Sequence, residues 1–207
     1  IGQIAAALAG GNTVISKPSE HTPMIAFEAI NLFFEQGLPE DALHLFLGNG
    51  DLGQAILSNQ SIDLVAFTGS LQTAKNIHKN LSSKPGKIIP LIAETGGLNT
   101  MIVDSSALLE RACDDIIRSA FNSAGQRCSA LRLLLVHQEV YSELLSMLKG
   151  AMNDLTIGIP DNLGTDIGPI ITFEALEKLN NYVAKMESDG NFCFQSSKGD
   201  IPNDGLW

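Results

Sequence analysis

Positive charge is scarce in this chain. Across 207 residues, 13 Lys and Arg face 23 Asp and Glu, for a net charge of −10 and a pI of about 4.7. No basic run interrupts that acidity, so a surface built to grip phosphodiester backbones is excluded and nucleic acid is not expected as a partner. Long apolar runs are missing too. None approaches the roughly 20 residues that span a bilayer, so no membrane contact is expected of this segment. The opening IGQIAAALAGG lacks a basic n-region and an initiator Met, and it reads as the middle of a helix rather than a signal peptide. Cysteine is sparse. Cys113, Cys128 and Cys193 show no CxxC spacing, which excludes a disulfide framework and a zinc site and points to a reducing, cytoplasmic compartment. Internal repeats and low-complexity tracts are absent. The closing SKGDIPNDGLW is turn-rich with no terminal element, and we expect the chain to be an excised piece of a longer protein.

What is present is an ordinary globular balance, 44 % hydrophobic and 17 % charged. Short apolar runs alternate with helical patterns, the signature of an α/β fold with a largely parallel sheet. After the opening helix, Gly10 and Gly11 break the chain and 13–16 reads as a strand. Thr22 followed by Pro23 predicts a hydroxyl-capped helix running to about Gln36. Further strands are expected at 43–47, 64–67 and 88–93, the last interrupted by Pro90 and ending at Glu94. A short helix is expected at 54–57 and a second, capped by Ser70, turns Ala74 and Ile77 toward the core. Beyond Gly96 a second unit follows, with strands at 101–103 and 131–137 and helices at 107–122, 141–154 and 173–186.

Four places carry candidate chemistry. Gly48-Asn49-Gly50-Asp51-Leu52-Gly53 matches GxGxxG between a strand and a helix. The next strand, however, ends in Phe67-Thr68-Gly69-Ser70 and not in the acidic residue that would hold a ribose, so a simple tight turn is favoured. Lys17 and Glu20 sit just past the first strand end, where open α/β sheets bind ligands, with a solvated loop as the alternative. Thr68-Gly69-Ser70 places small residues at a helix start, a seat for an anion or an ordinary cap. Glu94 ends an apolar strand ahead of Thr95-Gly96-Gly97, and Cys128 lies in the small-residue loop Ser123 to Ser129. A thiol beside Arg127 could be favoured as thiolate, and a carboxylate near it could serve as general base. The plain alternative for Cys128 is a small buried hydrophobe.

Taken together, these motifs resemble the aldehyde dehydrogenase superfamily. Gly11 through Pro23 is similar to its cofactor-ribose segment and Phe67 through Ser70 to its nicotinamide-side helix start. Glu94-Thr95-Gly96-Gly97 is similar to the general-base motif and Gly125-Gln126-Arg127-Cys128 to the nucleophile motif. Gly158-Ile159-Pro160 through Asp166-Ile167-Gly168-Pro169 fits the segment that follows. Thr95 stands where most of the superfamily has Leu. With 89–97, 101–107 and 123–132, it is similar to the branch found in the dehydrogenase half of bacterial bifunctional proline utilisation flavoproteins.

That resemblance implies an α/β fold in two incomplete portions, 1–96 belonging to an NAD-binding domain with a parallel sheet and 97–207 to a catalytic thiol domain. It implies NAD-dependent oxidation of glutamate semialdehyde, formed from pyrroline-5-carboxylate, to glutamate. Cys128 would be the nucleophile and Glu94 the base. Cofactor contacts are implied for Lys17, Glu20, Gly50, Thr68, Gly69, Ser70 and Thr95, and substrate contacts for Arg127 and Ser129. NAD is expected over NADP because the Glu20 charge would repel a ribose phosphate, and FAD only in a proline dehydrogenase domain outside this chain. The parent protein is expected to be a homo-oligomer, with membrane association left open for its other segments.

The resemblance also places outside the chain the asparagine of the oxyanion hole, a second cofactor-ribose contact and the substrate-carboxylate loop, so the piece alone is expected to turn over little. Two rivals remain at this point. One is a coenzyme A-acylating relative, against which the water-activating Glu94 argues. The other is a non-catalytic chain that kept the fold, against which the pairing of Glu94 and Cys128 argues.

Overall fold

The computed structural model describes residues 1–196, 201 and 205–207, so most of the turn-rich stretch noted at 197–207 lies outside the described residues. The chain divides into two compact units, Ile1–Thr95 and Gly96–Trp207. Both are mixed α/β with parallel strand pairs, and three times the same βαβ motif closes a pair through one intervening element group.

The first unit opens with α1 (Gly2–Ala9), stopped at Gly10 and Gly11, where Gly11 takes a positive φ of 79° that a side chain would resist. Strand β1 (Val14–Ser16) pairs with β2 (Leu43–Leu45) across α2 (Pro23–Glu35). Thr22 occupies the cap position of α2, but its hydroxyl makes no capping bond among the described residues. Proline at the first helical position supplies the fixed φ that starts the helix without one. Helix α3 (Gly50–Ser58) starts four residues earlier than its apolar pattern indicates, because the Asn49 side chain accepts from the amides of Asp51 and Leu52.

Strand β3 (Val65–Gly69) pairs in register with β4 (Leu91–Thr95) across α4 (Leu71–Ser82). Pro90 cannot donate to a ladder, so β4 begins after it, although the Pro90 carbonyl still accepts from Val65 N at 3.0 Å. The core of this unit lies between α4 and these strands. Ile77, Leu81 and Ile89 are buried against Leu57, Ile62, Val65, Phe67 and Leu91. Ala74 and Ile77 point inward as their spacing predicts.

In the second unit, β5 (Asn99–Val103) pairs with β6 (Leu131–Val136) across α5 (Leu109–Phe121), and α6 (Gln138–Asp154) and α7 (Phe173–Ser188) follow. Its core joins Val103, Cys113, Ile116, Leu131 and Leu144. Cys113 therefore takes the part of a small buried hydrophobe; burial, then the Asp114 charge, push its thiol pKa up. Ile102, Leu133 and Leu135 occupy the other face of the pair and are exposed. Among the described residues no helix is long and apolar enough to cross a membrane.

Candidate functional site

In the first unit the candidate residues collect at the carboxyl ends of parallel strands. Lys17 follows β1 and its ammonium donates to the carbonyls of Pro18, at 2.8 Å, and Gly48, at 3.0 Å. The glycine-rich turn after β2 is therefore tied to the residue that follows β1, a link the sequence does not display. A Cβ at Gly53 would meet the Lys17 stem at 3.5 Å, an ordinary contact. Glu20 lies 3.7 Å from the same ammonium and is exposed. A hydrogen bond from its own backbone amide holds its carboxyl below the usual range; desolvation opposes this, and the charges of Lys17 and His21 add to the lowering. Gly50 is the first residue of α3 and sits in open space.

The β3–β4 register sets Thr68 beside Glu94 and Gly69 beside Thr95. Ser70 caps α4, its hydroxyl oxygen accepting from Thr73 N at 3.1 Å. A Cβ at Gly69 would come within 2.5 Å of the Phe67 ring, so a side chain there would require the ring to move. Gln3 of α1 donates to the Thr68 hydroxyl at 3.1 Å. Nothing in the sequence marks Gln3, which is 65 residues away from its partner.

The candidate nucleophile belongs to the second unit. Helix α5 does not run on through Asn122 as its pattern suggests. A single turn, Asn122–Gly125, follows it, in which Ser123, Ala124 and Gly125 have φ of 58°, 53° and 65°. Left-handed backbone costs roughly 1–2 kcal/mol at each non-glycine position, so neighbouring contacts must hold it. The Arg132 guanidinium donates to the Gly125 carbonyl, and Arg127 Nε donates to Ser123 Oγ at 3.1 Å. Gln126 reaches across 43 to 45 residues, donating to the Pro169 carbonyl at 3.2 Å and accepting from Ile171 N at 2.9 Å.

Cys128 stands on a turn closed by Ala130 N to the Arg127 carbonyl at 3.2 Å. Residues 126–129, including Arg127 and Ser129, are exposed between buried Gly125 and Ala130. The buried alternative for this thiol is therefore overturned. Asn99, at the head of β5, donates from one side-chain nitrogen to the Cys128 carbonyl at 2.7 Å and to that of Ala130 at 2.8 Å. The structure thus gathers Lys17, Glu20 and the glycine turn, then Thr68, Gly69, Ser70, Glu94 and Thr95, and separately Arg127, Cys128 and Ser129. Glu94 and Cys128 belong to different units. Gln3, Asn99 and Arg132 are contributors that sequence reasoning missed.

Comparison with known proteins bears on what these clusters serve. The model of the aldehyde dehydrogenase family matches residues 1–205. The bifunctional protein PutA of Klebsiella aerogenes is 44% identical over 210 residues, covering 100% of this chain and 16% of that protein. A solved structure of a Bradyrhizobium japonicum proline utilization A mutant aligns with a TM-score of 0.92 at 44% identity, covering 99% of this chain and 21% of that one. The 1-pyrroline-5-carboxylate dehydrogenase from Thermus, solved with bound NAD, aligns at 0.83 and 28% identity over 90% of this chain and 37% of its own. The chain thus spans about one sixth of the length of the curated PutA relative.

Proposed function

Since the chain belongs to the aldehyde dehydrogenase family, we propose that it is the part of an NAD-dependent enzyme of proline catabolism that carries the reactive thiol and much of the cofactor seat. The substrate is glutamate semialdehyde, the open form of pyrroline-5-carboxylate, and the product is glutamate. Likeness to PutA and to 1-pyrroline-5-carboxylate dehydrogenase supports this choice of aldehyde. Residues 1–96 serve the cofactor and 97–207 the thiol chemistry.

The donor set in the first unit fits a dinucleotide. Lys17 and Glu20 offer a cation and an ionised carboxylate to ribose hydroxyls, and the Glu20 charge disfavours a ribose phosphate. The first-turn amides of α4, with Ser70 at its cap, face where a pyrophosphate would be stabilised by the helix dipole. Thr68, Gly69 and Thr95 keep the strand ends slim, and Gly50 lies in the turn that Lys17 contacts through Gly48. When bound, NAD supplies the acceptor for the aldehyde hydride.

The rest is done by the chain. The Cys128 thiolate forms a bond to the carbonyl carbon while the oxygen takes the electron pair, and the backbone N–H of Cys128 donates to that oxyanion. Loss of hydride leaves a thioester on Cys128. Glu94 then takes a proton from water, whose oxygen attacks the thioester carbonyl; the C–S bond breaks, releasing glutamate and the thiolate. Arg127 and Ser129 border the substrate beside the thiol.

One observation carries this reading. Cys128 is the exposed tip of a turn anchored on both sides, within a chain the family matches over residues 1–205. In the full-length protein, Cys128→Ala is expected to lower NADH production from the semialdehyde at least about a thousandfold while NAD binding persists. Turnover retained by that variant overturns the mechanism.

A further inference from the structure

The β5–β6 ladder breaks register at its start. Asn99 pairs with Leu131 but Thr100 pairs with Leu133, which leaves Arg132 as the extra residue of a bulge. The bulge turns Arg132 out of the strand alternation, and its guanidinium takes the Gly125 carbonyl. On the other side of the break, β6 begins at Leu131, so Cys128 to Ala130 lie beyond its ladder. The Asn99 side chain extends the ladder there. An amide nitrogen has two hydrogens, and Asn99 uses both, at 2.7 Å and 2.8 Å, on the carbonyls of Cys128 and Ala130.

We propose that Asn99 is a positioning residue for the Cys128 thiol. This inference rests on the reading of Cys128 as nucleophile. Holding the Cys128 carbonyl fixes the peptide plane that leaves Cys128, and the Gly125 and Gln126 contacts fix the chain that enters it. The direction of the Cα–Cβ bond, and with it the line along which sulfur meets the aldehyde, is set from both ends. The Cys128 N–H belongs to the preceding peptide, whose Arg127 carbonyl accepts from Ala130 N at 3.2 Å, while Asn99 holds the carbonyls of Cys128 and Ala130, so the turn that aims the sulfur also aims the oxyanion donor. Only the chemical step profits from this alignment, since both side-chain hydrogens of Asn99 are committed to backbone carbonyls. Misplacement of a reacting atom by about 1 Å costs on the order of a hundredfold in rate.

The test uses the full-length protein with Asn99→Ala and Asn99→Ser, which keeps one donor, beside wild type and Cys128→Ala. Rates are expressed per NAD-binding molecule. Asn99→Ala is expected to lower kcat about 10- to 100-fold with KM for the semialdehyde within about threefold of wild type, and Asn99→Ser to fall between them. A kcat within twofold of wild type for Asn99→Ala overturns the role, as does a raised KM at unchanged kcat. If Asn99→Ala fails to fold, Asn99→Ser carries the same comparison, and loss of NAD binding in both makes Asn99 structural and likewise overturns it. An active Cys128→Ala brings down the underlying mechanism instead, whatever Asn99 does.

Discussion

The two units hold their candidate residues by different means. In Ile1–Thr95 the backbone does most of the work: parallel strands end together, and Lys17, Thr68, Gly69, Glu94 and Thr95 are delivered by position along β1, β3 and β4. Around Cys128 the strand ladder has run out. There the chain passes through three left-handed residues and is kept in place by the side chains of Arg132, Gln126 and Asn99. A site assembled from strand ends tolerates loss of one side chain, since the scaffold remains. A site on a turn under strain depends on every clamp and on the one glycine that the turn requires.

Substitutions can break that contrast, and the largest effect belongs to Gly125. At φ 65°, a Cβ there would lie 2.8 Å from the Ala120 carbonyl oxygen and 3.0 Å from the Arg132 guanidinium. Gly125→Ala combines left-handed strain with a backbone clash, for an expected destabilisation of about 2–4 kcal/mol. Urea unfolding measures it, and a loss below about 1 kcal/mol would show that the turn relaxes more easily than its clamps suggest.

Ser70→Ala tests the other unit. Losing the cap on Thr73 N is expected to cost about 1 kcal/mol and leave the β3–β4 pairing in place, so amide exchange in Val65–Gly69 stays slow. Fast exchange across β3 would mean the strand ends depend on side chains as the thiol turn does.

Glu20 gives the smallest effect. Its folded carboxyl is held below the ordinary value, so its contribution is present above the unfolded value, about 4.3, and is lost as pH falls through the folded one. Glu20→Gln should therefore match wild type at pH 2 and melt slightly lower at pH 7. Equal midpoints at both pH values would show that the Glu20 carboxylate, held by its backbone amide and Lys17, does not order the β1 end.

The first unit was largely legible because its logic is local. Alternating apolar runs and Pro23 announce strands and helices whose ends shift by only a few residues, and Ser70 caps α4 as its sequence indicates. Thr22 and α3 departed from expectation because caps depend on which side-chain oxygen meets a free amide. Asn49 does this and Thr22 does not. Cys113 and Cys128 look alike in sequence, yet one is buried in a core and the other is exposed on a turn. What separates them is the left-handed run at 123–125 and contacts made by Asn99, Arg132 and Gln126, which join residues 7 to 45 apart. Hydrophobic period and turn chemistry carry no record of such pairs.

Each parallel pair is closed within fewer than forty residues. As the chain leaves a ribosome, β1–β2 and β3–β4 can therefore form in order, each before the next is made. The thiol turn comes last in that schedule. Asn99 emerges well ahead of the Ala130 carbonyl it must hold, and β6 has to dock on β5 before the two can meet. In a growing chain the proposed cofactor seat can thus form while the Cys128 sulfur is still on slack backbone, and the sulfur is set in place only with the third strand pair.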